Sequence, residues 1–64
     1  MKLTEQEKEA FELYTQGKGI AEIALIIGVS YQQAVNIMNS ILTKSPYKSA
    51  QELLANANSI EIED

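Results

Sequence analysis

The chain has 64 residues, five lysines against nine acidic residues, and neither cysteine nor histidine, which gives a formal net charge of −4. This length predicts one small domain that buries only about 60% of the surface exposed by its unfolded form. Without cysteine, disulfides and thiolate metal sites are excluded, and self-association is the expected supplement to stability. Because cysteine and histidine are absent and no glycine-rich phosphate loop occurs, we expect neither an enzyme nor a cofactor or metal.

Membrane and secretory segments are not predicted either. The longest apolar run, residues 20–29, contains Glu22 and is far shorter than a bilayer span. Residues 1–6 lack the basic and apolar blocks of a signal peptide, so we expect a cytoplasmic protein with no membrane partner.

Charge is distributed unevenly along the chain. Residues 17–48 carry three lysines and one glutamate and are the only basic part of the chain.

Four helices are predicted, near residues 4–16, 20–27, 31–44 and 50–57. In the first, Thr4 and Glu7 have the capping-box spacing, and Gly17 is the residue type that ends a helix in the left-handed conformation. The acids at its start are expected to be solvated and to compensate the helix dipole. They are Glu5, Glu7, Glu9 and Glu12.

The second segment lies between Gly19 and Gly28. Its β-branched residues also suit a strand, but no second strand is available nearby to pair with it, so a helix is preferred. Ser30 is the expected N-cap of the third helix, and Pro46 is expected to end it.

The fourth predicted helix opens at Ser49, where the capping-box spacing recurs with Glu52. It closes a single domain over residues 1–57. Residues 58–64 are predicted to be an acidic, disordered tail. The alternative for this tail is a segment that pairs with a partner's edge or covers the basic face.

The apolar spacing between residues 20 and 37 is typical of a helix-turn-helix. Ala24 is small enough for two helices to cross closely, and Gly28 suits the turn. A generic helical hairpin without a nucleic-acid role is the alternative. The remaining apolar positions expected between the two helices are Ile23, Ile27, Val29, Ala34 and Ile37.

Up to about residue 57, the chain resembles the LuxR/GerE-type helix-turn-helix domain of bacterial transcription regulators. The resemblance implies an all-α, four-helix domain whose third helix enters the major groove and whose fourth helix often dimerises. Region four of sigma factors is similar as well. Leu3, Thr4, Glu7 and Glu9 match the family's Leu-Thr-x-Arg-Glu-x-Glu opening, and Gly17 matches its glycine after the first helix. Glu22, Ile23 and Ala24 match its Lys-Glu-Ile-Ala segment, and Ser30 matches its Ile-Ser cap. Ile41 and Lys44 match positions in its third helix.

The chain departs from the family at several cationic positions. Gln6 stands at an arginine of the family, and Ala21 and Val35 stand at lysines. These changes remove contacts to phosphates or bases. As an apolar residue on the presumed DNA face, Val35 suits a thymine methyl group or a protein partner.

At 100° per residue, one face of the third helix is apolar and the opposite face carries amides. Amide side chains bind adenine in the major groove in a bidentate manner. The predicted base-reading residues are Gln32, Gln33, Asn36 and Asn39, and the predicted contacts to the DNA backbone are Lys18, Tyr31, Ser40, Thr43, Lys44 and Lys48. For Tyr31, packing against the second helix is an equal alternative. Leu53, Leu54 and Ala57 are candidates for a dimer interface, or they cover the protein's own core.

The leading hypothesis is a small bacterial or phage transcription regulator that reads double-stranded DNA as a homodimer, through a short site containing A/T pairs. The alternative is a protein-interaction module derived from a helix-turn-helix. Such a module would bind another regulator or RNA polymerase, for example as an anti-activator, and the acidic balance and missing arginine favour it.

Overall fold

A computed structural model describes residues 1–62, which form four α-helices and a final 3-10 turn. The all-helical, four-helix prediction is confirmed. The elements are α1 (Glu5–Thr15), α2 (Ile20–Ile27), α3 (Tyr31–Lys44), α4 (Ala50–Ala55) and the 3-10 turn (Ala57–Ser59).

The start of α1 is a complete capping box. The Thr4 hydroxyl accepts a hydrogen bond from the Glu7 backbone N–H at 3.2 Å, and the Glu7 carboxylate accepts one from the Thr4 N–H at 2.9 Å. The helix ends before Gly17, whose φ of +90° is a conformation that other residues adopt only under strain. The Lys18 N–H reaches back to the Leu13 carbonyl at 3.2 Å, which closes the last turn.

The second segment is a helix, as preferred, and not a strand. Gly28 ends it in the left-handed conformation with φ +77° and ψ +38°. The N–H groups of Gly28 and Val29 both donate to the Ala24 carbonyl at 3.0 Å. This geometry turns the chain by 105° within three residues, so α3 begins at once after Ser30.

The third and fourth helices begin at the predicted serines. Ser30 caps α3 by accepting from the Gln33 N–H at 3.1 Å, and Ser49 caps α4 by accepting from the Glu52 N–H at 3.2 Å. Extended backbone at Ser45, before Pro46, ends α3. The fourth helix is shorter than predicted, because Asn56 leaves the helical conformation and its side-chain amide caps the Glu52 carbonyl at 2.9 Å.

The core lies where α1, α2 and α3 meet, with α4 closing one side. Its largest fully buried side chains are Ile23, Ile41 and Leu53, one from each of α2, α3 and α4, and Phe11 of α1 is 4% exposed. The axes of α2 and α3 cross at 105°. This crossing turns one face of α3 towards the core and leaves the opposite face in solvent.

The C-terminal segment differs from the solvated tail that the sequence predicts, as far as it is described. Ile60 and Ile62 are half-buried and pack against the core cluster, because their alternation with acids places both on one side of an extended chain. The backbone carbonyl of Glu61 accepts a hydrogen bond from the Met1 amino group at 2.7 Å. Residues 63 and 64, the last acids of the predicted tail, lie outside the described residues.

Within residues 1–62, no single helix has the length and apolar composition needed to cross a membrane. Among the described helices, only α2 and α3 taken together have enough length and apolar composition for a membrane span, and the two helices are bent by 105° at their junction.

Replacing Leu53 with alanine should lower the free energy of unfolding by about 2–5 kcal/mol, because it opens a cavity beneath α4. Its neighbour Leu54 is 41% exposed, and the same substitution there should cost less than about 1 kcal/mol. Urea unfolding followed by circular dichroism compares the two variants. Equal losses would contradict the placement of Leu53 in the core.

Candidate nucleic-acid interface

The outward face of α3 is a row of neutral amides. Gln32, Asn36 and Asn39 are exposed and follow one another along one side of the helix. The Gln32 side-chain N–H donates to the Asn36 side-chain oxygen at 3.1 Å, which holds these two amides in a common orientation. Each retains unused donors and acceptors, so the row can bind a base edge or another polar surface.

Gln33 has a structural role that was not assigned to it from the sequence. Its side-chain oxygen accepts a hydrogen bond from the Ser30 N–H at 3.1 Å, which completes a second capping box at the start of α3. A serine followed three residues later by a glutamine is the sequence pattern of a capping box, so this role could have been predicted. Gln33 is exposed, but only its NH₂ group is left to face a ligand.

A buried carboxylate lies behind the C-terminal half of α3. Glu7 of α1 is 6% exposed, so its predicted solvation is wrong. Its Oε2 accepts from the Ser40 hydroxyl at 2.7 Å, and its Oε1 accepts from the Lys44 ammonium at 2.6 Å. Together with the Thr4 N–H, these donors satisfy a carboxylate that has almost no contact with water. We name this group, Thr4, Glu7, Ser40 and Lys44, the Glu7 cluster.

The Glu7 cluster changes the role of two predicted backbone contacts. Ser40 is half-buried and directs its hydroxyl inward to Glu7, and the Lys44 ammonium is in an ion pair with the same group. In this conformation the Ser40 hydroxyl proton is used by Glu7, and the charge of Lys44 is balanced by the same carboxylate. The signal was present in the sequence, because Glu7 precedes the core residues Ala10 and Phe11 by three and four positions and shares their helical face.

The pKa of Glu7 reflects two opposing effects. Burial alone raises the pKa, since a charged carboxylate is poorly solvated inside a protein. The hydrogen bonds from Lys44, the Thr4 backbone and Ser40, and the charge of Lys44, outweigh burial and lower the pKa from 4.5 to about 2. Glu7 is therefore ionised at neutral pH and holds its donors firmly.

The other two predicted lysine contacts differ from each other. The Lys18 ammonium lies 3.7 Å from the Glu22 carboxylate, one turn further along; the Glu22 side chain is largely exposed and the Lys18 side chain is partly exposed. Lys48 is exposed and forms no ion pair with any residue in the range 1–62; only its backbone N–H donates, to Glu52 at 3.3 Å. Of the three lysines, only Lys48 offers an uncompensated charge.

Two further predicted contacts lie on the surface of α3. Tyr31, at its first turn, is 60% exposed, so a large part of its ring does not pack against α2. Thr43 is exposed and uses its hydroxyl to donate to the Asn39 carbonyl at 2.9 Å. Val35, beside the amide row, is half-buried.

An exposed apolar surface on α2 was not expected from the sequence. Leu25 is 83% exposed and Ile26 is 52% exposed, and with Tyr31 they are the largest apolar side chains in solvent near the α2–α3 turn. An eight-residue run of this composition predicts a largely buried helix, because nearly every side of the helix carries apolar residues. We name these three residues the turn patch.

The three candidates for a dimer interface separate in the structure. Leu53 is completely buried in the protein's own core, and Ala57 is half-buried against it. Only Leu54, at 41% exposed, offers substantial apolar surface to a second chain. Covering the core is thus the observed role of Leu53.

Taken together, the surface around α3 offers hydrogen-bonding amides, one uncompensated lysine and an adjoining turn patch. Within the described part of the chain, no group of three acidic side chains is placed to hold a metal ion. No protein-family model, no curated protein and no solved structure matches this chain. The chemistry of the surface itself is therefore the basis for a functional proposal.

Acidification should weaken the fold through Glu7. Because its pKa in the folded chain is about 2 and its ordinary value is 4.5, its contribution to stability is complete above pH 4.5 and is lost as the pH falls towards 2. A shift of this size corresponds to about 3 kcal/mol. Urea unfolding of wild type and Glu7→Gln, from pH 7 to about pH 2, should show a difference that shrinks over this window.

Glu12→Gln is the matched control, because Glu12 is an exposed acid of the same helix. Its difference from wild type should stay small at every pH. A difference between wild type and Glu7→Gln that is independent of pH would contradict the assigned role of the carboxylate.

Proposed function

We propose that the chain is a DNA-binding transcription regulator with a LuxR/GerE-like helix-turn-helix, in which α3 enters the major groove. The observation that carries this proposal is the 105° angle between α2 and α3 across the three-residue turn from Gly28 to Ser30. Helix-turn-helix motifs join two helices at about 90–120° through a turn of three or four residues that often contains glycine. A generic helical hairpin has no requirement for this angle.

The amide row supplies the base-reading groups. Asn36 and Asn39 lie exposed in the middle of the outward face of α3, and Gln32 lies one turn before Asn36. An asparagine or glutamine amide donates to N7 and accepts from the N6 amino group of adenine at once. The proposed site therefore contains A/T pairs. Gln33 contributes chiefly its NH₂ group, since its oxygen already accepts from the Ser30 N–H.

Contacts to the DNA backbone come from uncharged donors and from Lys48. The Tyr31 hydroxyl, at the start of α3, and the Lys48 ammonium are exposed. Free N–H groups and the positive end of the helix dipole at the first turn of α3 add to them. Because Lys48 is the one uncompensated lysine among the three predicted contacts, the electrostatic attraction from one chain is weak, so the proposal includes a homodimer that doubles the contacts.

Selection of the purified protein against a random pool of duplex DNA, at low and at physiological salt, tests this function. Asn36→Ala should change the preferred sequence and cost about 1–3 kcal/mol on the original site, because a bidentate base contact is lost. Lys48→Ala should weaken all sites alike. Gln51→Ala is the matched control, since Gln51 is an exposed amide of α4 outside the amide row. Failure to enrich any sequence, with no retention at low salt, would exclude DNA reading.

A second candidate function is a protein-interaction module that binds another regulator or RNA polymerase. The specific observation in its favour is the turn patch, where Leu25 and Ile26 lie in solvent on a chain whose net charge is −4. Apolar surfaces of this kind mark protein contacts more often than nucleic-acid contacts.

The two candidates differ in their response to salt and to substitution. An apolar protein interface barely responds to salt, whereas DNA binding weakens steeply as salt rises. Binding to purified RNA polymerase should survive high salt and be lost in Leu25→Ser, while Leu54→Ser, on α4, should bind as wild type does. Equal binding by the two variants would remove the turn patch from this function.

A further inference from the structure

We infer that two carboxylates of the chain, Glu7 and Glu22, compete with DNA phosphates for Lys44 and Lys18 and so limit the affinity for nucleic acid. This inference rests on the DNA-binding function proposed above. It assigns to Glu7 and Glu22 a role in regulating that surface.

The contact between Glu7 and Lys44 is the tighter of the two. The Lys44 ammonium lies 2.6 Å from Oε1, the Glu7 side chain is 8% exposed and the Lys44 side chain is 38% exposed. A phosphate cannot approach the carboxylate side of this pair, because that side is enclosed by protein. The other two N–H donors of Lys44 can still meet a phosphate, but its charge is already balanced by Glu7. Lys44 neutralises a phosphate in full only if its ammonium leaves Glu7, and the buried carboxylate then keeps only the Thr4 N–H and the Ser40 hydroxyl.

The contact between Glu22 and Lys18 is looser. The charged groups are 3.7 Å apart and the side chains are 59% and 39% exposed, so water and salt reach both. Exposed pairs of this kind are weak. A phosphate can break this contact, but the Glu22 carboxylate remains nearby and its charge offsets that of Lys18 towards the same phosphate. Lys18 therefore adds little net charge to the phosphate contact while Glu22 is present.

The consequence is measurable as the number of counterions released on binding. The logarithm of the binding constant falls with the logarithm of salt concentration by about 0.9 for each phosphate that a lysine neutralises. A subunit with three available lysines would give a slope of about −2.7, and one that uses only Lys48 would give a slope of about −0.9. The two pairs thus hold the salt dependence of the wild-type chain near the lower value.

The experiment measures binding of the full chain to its selected duplex over a series of salt concentrations. Glu22→Gln should make the slope steeper by about 0.9 for each subunit, and Glu22→Gln combined with Lys18→Met should restore the wild-type slope. Glu7→Gln should act in the same way through Lys44. Because Glu22 is exposed, its variant tests the competition even if Glu7→Gln reduces stability too far.

Glu12→Gln is the matched control. It removes the same single charge, but Glu12 forms no ion pair with any described residue. It should raise affinity slightly through the general field of the protein and leave the slope unchanged. A slope that changes equally in Glu12→Gln and Glu22→Gln, or in neither, overturns the competition while wild-type binding upholds the DNA function. Absence of binding by wild type and by every variant at the lowest salt overturns both.

Discussion

The arrangement of the helices depends on the satisfaction of one buried carboxylate. Glu7 connects the first turn of α1 with Ser40 and Lys44 of α3, which are 33 and 37 residues further along the chain. Apolar packing is non-directional, and the hydrogen bonds of Glu7 add a directional constraint to it. The Glu7 carboxylate accepts hydrogen bonds of 2.6–2.9 Å from the Thr4 N–H and from Ser40 and Lys44 of α3. These bonds fix the position of the first turn of α1 against α3. No buried side-chain polar atom among the described residues lacks a partner.

This constraint decides which side of α3 meets the solvent. Ser40 and Lys44 turn towards α1, and the neighbouring amides Gln32, Asn36 and Asn39 remain exposed. Gln32, Asn36 and Asn39 take no part in the Glu7 cluster, whereas Gln33 both caps α3 and keeps its NH₂ group for a ligand. A surface rich in amides and poor in charge results, because the folding role of Lys44 uses a cation that DNA binding would also use.

Much of the fold could be predicted from local signals in the sequence. The limits of α2 and α3 follow from Gly19, Gly28, Ser30 and Pro46, because capping and the left-handed conformation depend on neighbouring residues alone. The exposure of the amide row follows from helical periodicity.

The ion pair between Glu7 and Lys44 could not be predicted from the sequence, because a glutamate at the third position of a helix suits both a solvated surface and a buried cap. Its partner is 37 residues away and is identified only when α1 and α3 pack. The exposure of Leu25 and Ile26 could not be predicted either, because the sequence of a short helix that is apolar on all sides does not indicate which side packs against the rest of the protein.

The shortness of α4 has a consequence for the motions of the chain. A six-residue helix does not persist by itself in water, so α4 is ordered only while it is docked. In the described range after α3, the one fully buried side chain is Leu53, and a hydrogen bond of 3.4 Å from the Tyr14 hydroxyl to the Ala50 carbonyl adds a second, weaker tether. Amide protons of α4 should therefore exchange with solvent as a group, and before those of α2 and α3. Each opening bares core side chains that Leu53 covers, so the lifetime of the docked α4 governs how often proteases and other chains meet an apolar surface.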